Sequence, residues 1–126
     1  VFKQMIQANS FSFMQVDASR VAGMNENIAM VLMAAKAGIP VCPHAGGVGL
    51  CEMVQHVAMF DFVAVGGKHP DRVVEFVDHL HEHFVVPTDI RNAHYMPPLK
   101  PGAGAEMFEK SIADYTYPTG KEWVNG

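Results

Sequence analysis

Val41-Cys42-Pro43-His44-Ala45-Gly46-Gly47-Val48-Gly49-Leu50 leaves a short apolar strand for a glycine-rich turn and carries one histidine across that boundary. Enzymes built on parallel strands keep their chemistry at such strand ends. Upstream, Phe11-Ser12-Phe13-Met14-Gln15-Val16-Asp17 is a second strand-like run that ends in an acid. Downstream, Arg72-Val73-Val74-Glu75-Phe76-Val77 is a third, with its acid inside the run. Three strands therefore offer Asp17, His44 and Glu75, and because a parallel barrel draws catalytic groups from several strand ends, this trio reads as part of one site.

Outward from these runs, strand and helix alternate, which points to an α/β architecture with a parallel sheet. Phe2 to Ala8 reads as the end of a helix, which Asn9 and Ser10 break before the first strand. Asn25 is placed to cap the next helix, whose Ile28, Val31, Leu32 and Ala35 recur at helical spacing and which Gly38 ends. Ile39 to Cys42 is the second strand and Val48 to Phe60 the next helix, with Leu50, Met53, Val54 and Val57 on one face. Gly66-Gly67-Lys68-His69-Pro70 is a turn into the third strand. After Phe84 the prolines at 87, 97, 98 and 101 cut the chain into short segments, with an edge strand at Ile90 to Tyr95 and a helix at Ala105 to Ala113. Residues 1–86 thus read as a run of alternating strands and helices and residues 87–126 as a covering or docking tail.

Composition narrows the function classes. The chain has 126 residues, 49% of them hydrophobic, and a net charge of −4, with 9 scattered Lys and Arg that form no basic stripe for nucleic acid. The longest apolar run, residues 28–35, stops at Lys36, far short of the roughly 20 residues that span a bilayer. Cys42 and Cys51 lack a C-x-x-C or zinc spacing, which suits a reducing, cytoplasmic compartment. His79, His81 and His83 would share one side of a strand and invite a zinc reading, although a structural use is the simpler one. Gly46-Gly47-Val48-Gly49 is not a G-x-G-x-x-G fingerprint and reads as a tight exit from the strand. Taken alone, Asp17 could equally cap the turn that follows it, and His44 could be a satisfied loop histidine.

Longer matches decide among these readings. Asp17-Ala18-Ser19-Arg20-Val21, Asn25-Glu26-Asn27, residues 42–52, residues 75–84, Tyr95-Met96-Pro97-Pro98, Pro101-Gly102, Glu106-Met107 and the terminal Tyr117, Pro118, Gly120 and Trp123 run in one order along the chain. In that order and spacing the sequence resembles the enolase superfamily, and within it the acid-sugar dehydratases of the L-fuconate dehydratase type. Ala22 departs from the resemblance, since relatives usually keep a glycine before Gly23; the change concerns a turn and not a functional group.

The resemblance implies the last three strands of an enolase-type (β/α) TIM barrel, followed by a tail that returns to a capping domain. A complete barrel takes about 250 residues, and the chain opens on Val1, so it is expected to be the C-terminal third of a longer protein. It further implies catalytic roles. His44 would exchange a proton with the substrate, Asp17 would hold the other ring nitrogen, and Glu75 would donate a hydrogen bond to the enediolate, which requires it to be protonated. Mg2+ would serve the longer protein through carboxylates on earlier strands, so no metal is expected to be bound by this chain. The substrate of the longer protein would be a sugar acid, with loss of water to a 2-keto-3-deoxy acid. The piece alone is expected to be inactive and, with its edges open, to form a homo-oligomer. The alternative reading is a self-associating structural module without catalysis.

Overall fold

A computed structural model describes residues 1–67 and 72–124 of the chain. Its helices are α1 (Phe2–Gln7), α2 (Met24–Ala37), α3 (Leu50–Phe60), α4 (Glu109–Tyr115) and α5 (Lys121–Val124), and its named strands are β1 (Ile90–Arg91) and β2 (His94–Tyr95). Lys68, His69 and Pro70 of the expected turn lie outside the described residues.

The first two expected strands lie side by side and parallel, through single bridges at Met14 with Val41 and at Asp17 with His44. Met14 N–H donates to Pro40, Cys42 N–H to Met14 and His44 N–H to Val16. Even-numbered residues of the 40–44 segment therefore face the first segment, and the odd-numbered ones face residues 72–77. On that second side the expected strand forms no ladder: Glu75 N–H donates to the Pro43 carbonyl at 3.2 Å, and the regular pattern stops there. Two residues break it. Pro43 has no N–H to give back, and the Ala45 N–H goes to the side chain of Glu75 rather than to its carbonyl.

Helices α2 and α3 cover one face of these segments. Met14, Val16, Met30, Val31, Ala34, Val41 and Val57 form a buried cluster, in which each valine and methionine contributes about 1.5–3 kcal/mol over exposure. The buried face of α2 is Asn27, Met30, Val31 and Ala34, one position away from the expected one, and Leu32 is half exposed. Residues 28–35 are apolar all round, so periodicity could not choose a face. Asn25 is not the cap: Gly23 stands at that position, and Asn27 Nδ2 donates to the Gly23 carbonyl. Gly38 does end the helix, in a left-handed conformation at φ 71°.

Helix α3 starts at Leu50 rather than Val48, because Gly49 is left-handed at φ 72° and a Cβ there would meet the Phe84 ring at 2.9 Å. It runs on through a wider turn over Asp61–Gly66. In the tail, the expected strand at 90–95 is instead the hairpin β1–β2, turning on Asn92 and Ala93, both at positive φ. The expected helix at 105–113 starts later, at Glu109, because Met107 is extended and bridges Phe84. His81–His83 is a short helical turn, so the histidines do not alternate along a strand.

Candidate active site

Asp17, His44 and Glu75 converge, as the sequence expects. Parallel pairing of residues 17 and 44 sets the first two side by side, and Asp17 Oδ2 lies 2.8 Å from Nδ1 of His44. Asp17 Oδ1 accepts from Ser19 N–H, Ser19 Oγ and Arg20 N–H. Asp17 thus makes both sets of contacts at once: Oδ1 caps the turn and Oδ2 meets the imidazole. Burial pushes its carboxyl up, but the bonds from Ser19, His44 and Arg20 outweigh that and hold it below the usual carboxylate range. An ionised Asp17 makes Nδ1 the N–H of the neutral ring and leaves Nε2 as the nitrogen that takes or returns a proton.

Nε2 points at Glu75, 3.7 Å from its Oε2. The same oxygen accepts the Ala45 N–H at 2.7 Å and is approached by Gln15 Nε2 at 3.4 Å. Side-chain exposure rises from 11% at Asp17 to 21% at His44 and 34% at Glu75, so the orienting acid is the buried end and the groups that could meet a substrate are the open end. The His44 ring lies over Gly46, where a Cβ would stand 2.7 Å from Nε2. Only a glycine leaves the ring that space.

Gln15 and Ala45 are members of the site that the sequence reading passed over, while Gly46 belongs to the tight exit it expected. Gln15 sits two positions before Asp17 and so shares its side of an extended chain; that alternation was the available signal. Cys42 is no competing nucleophile, because burial and then the charge of Glu75 push its thiol up and keep it protonated. His81 serves structure: Nδ1 bonds the buried Glu52 at 2.7 Å and Nε2 the Val77 carbonyl at 2.8 Å. His83 bonds Ser111.

These residues do not fit a magnesium site. Asp17 engages both oxygens internally and Glu75 Oε2 holds an N–H, and among the described residues no three His, Cys, Asp or Glu side chains are placed around a common ion position. What the arrangement can do is move a proton at Nε2, with an acid fixing the ring and a second carboxyl beside it.

A sequence model of the enolase C-terminal domain-like family matches residues 1–111. The chain belongs to that family. Mitochondrial enolase superfamily member 1 from Homo sapiens is 52% identical over 123 residues, which are 98% of this chain and 28% of that protein. The L-galactonate dehydratase of Hypocrea jecorina is 46% identical over 125 residues, 99% of this chain and 27% of that protein. The crystal structure of human mitochondrial enolase superfamily member 1 superposes with a TM-score of 0.95 at 52% identity, over 98% of this chain and 28% of that one. This enolase-type chain therefore spans little more than a quarter of the length of the relatives it matches.

Proposed function

We propose that the chain carries the proton-transfer residues of an acid-sugar dehydratase, in the last strands of an enolase-type barrel whose remainder belongs to a longer protein. The observation that carries this reading is the pair of distances on either side of one imidazole: Asp17 at 2.8 Å from Nδ1 and Glu75 at 3.7 Å from Nε2. Proton removal beside a carboxylate needs a base with its tautomer fixed and a donor for the charge that develops on the acid. His44 Nε2 supplies the first, with Asp17 orienting the ring. Glu75 would supply the second when protonated on Oε1, which accepts no bond among the described residues while Oε2 is tied to Ala45.

A relative named L-galactonate dehydratase supports the substrate class. L-Galactonate and L-fuconate differ only in the hydroxyl of the terminal carbon, so they are the first two acids to offer. Mg2+, which the family reading assigns to the longer protein, falls to residues outside this chain. The test is formation of a 2-keto-3-deoxy acid from either substrate by the longer protein, with this chain alone as the comparison. Product from the longer protein and none from the chain supports the reading; product from neither acid, across a panel of sugar acids, overturns it.

The second reading, a self-associating module without catalysis, is favoured by the exposed Phe13, Phe62, Val63 and Val73. It leaves the Asp17–His44–Glu75 convergence without a use.

A further inference from the structure

The ladder between residues 43–45 and Glu75 is broken in an informative way. In a parallel ladder the carbonyl of residue 43 accepts from residue 75, and the N–H of residue 45 then donates to the carbonyl of residue 75. The first bond is present. The second is replaced: Ala45 N–H donates to Glu75 Oε2 at 2.7 Å, and the Glu75 carbonyl accepts instead from the hydroxyl of Tyr95 at 2.6 Å. The carboxylate can hold that N–H because another donor has taken the carbonyl that competes for it.

Tyr95 is built to do this. It stands on β2 of the tail hairpin, opposite Ile90. Its ring is half-buried in the cluster of Ala45, Cys51, Val54, Val74 and Val77 and meets Phe76 edge-on at 6.1 Å between centroids. Burial, and then the neighbouring Cys51, push its hydroxyl far above the ordinary range, so it remains a donor at any working pH.

From this exchange of partners we infer that Tyr95 is a positioning residue: by satisfying the Glu75 carbonyl it releases the Ala45 N–H to fix the Glu75 carboxylate beside His44. The inference rests on the catalytic reading of Glu75 for its functional meaning, but the bond exchange stands apart from turnover. The tail thereby sets the geometry of the site and does more than cover it.

The test is a nitrogen–carbon correlation through the hydrogen bond, recorded by NMR on the isotopically labelled chain. In the native chain the Ala45 amide correlates with the side-chain carboxyl carbon of Glu75. In Tyr95→Phe, which keeps the ring and removes the donor, it correlates with the Glu75 backbone carbonyl carbon. An amide that stays on the carboxyl carbon in Tyr95→Phe, or never shows that correlation in the native chain, overturns the inference.

Should Tyr95→Phe fail to fold, Ala93→Gly gives an independent reading. Ala93 sits in the hairpin turn at φ 60°, a conformation that costs a non-glycine residue about 1–2 kcal/mol. A hairpin freed of that strain holds Tyr95 in place more of the time and slows amide exchange at Ala45 about fivefold relative to Val54. Unchanged or faster relative exchange overturns the inference. A longer protein indifferent to Glu75→Gln would instead overturn the catalytic reading and leave these spectra as stated.

Discussion

The imidazole of His44 lies across the bare Cα of Gly46, so close that a Cβ there would sit 2.7 Å from Nε2. A far end of a free side chain would swing away at little cost. This ring cannot, because Asp17 holds Nδ1 at 2.8 Å. Gly46→Ala must therefore either break that bond or shift the turn. We expect the chain to lose about 1–3 kcal/mol of stability in urea unfolding and the longer protein to lose most of its turnover. An unchanged midpoint with full turnover would show that the ring is not confined.

Stability should fall on both sides of an interval of pH, for opposite reasons. Asp17 is held below its ordinary value of 3.8, so its contribution is complete above that value and is lost as pH falls through the folded one. His81 is shifted the other way: burial lowers it, but the bonds to Glu52 and the Val77 carbonyl outweigh that and raise it. Its contribution is complete below about 6.5 and is lost as pH rises through the raised value. Urea midpoints across pH should show His81→Asn flattening the alkaline limb and Asp17→Asn flattening the acid one. Limbs unaltered by these substitutions would contradict the assignment.

Much of this was legible in the sequence because it depends on local pattern. The two parallel segments, the end of α2 at Gly38 and the trio of Asp17, His44 and Glu75 all follow from alternation, glycine position and strand ends. What escaped depends on partners distant in sequence. Glu52 and Gln55 are buried polar residues on α3, and nothing nearby in sequence announces that His81 and Thr88 will bond Glu52 Oε1 from 29 and 36 positions away. Asn92-Ala93 makes a tight hairpin turn without the glycine that usually signals one. The loss of regular pairing at Glu75 depends on Pro43 and on a tyrosine 20 positions on. No periodicity rule contains that.

Glu52 is 1% exposed, and its Oε1 accepts from both His81 and the Thr88 N–H. Glu52→Leu would strand both donors in the interior and should cost about 3–5 kcal/mol, with His81→Asn costing less because it leaves the Thr88 bond in place. A Glu52→Leu chain as stable as the native one in urea would mean that the pair does not tie the tail to α3.

The backbone of Phe13 and Gln15 faces away from residues 40–44 and finds no partner among the described residues, and exposed Phe62, Val63 and Val73 add apolar surface. Open edges of this kind recruit other chains. Sedimentation velocity on the chain at micromolar concentration should show a dimer or larger species. A single monomeric boundary across that range would contradict it.

The most direct measurement compares His44→Asn with Glu75→Gln in the longer protein, following both product formation and solvent deuterium uptake at the carbon beside the substrate carboxylate. We expect His44→Asn to lower both by about 10²–10⁴-fold, because in the proposed reaction Nε2 carries the proton, and Glu75→Gln to leave a partial rate, because an amide still donates a hydrogen bond, though more weakly than a carboxyl. A His44→Asn enzyme within tenfold of the native rate would contradict the assignment of His44 as the proton-transfer residue, whatever Glu75→Gln does.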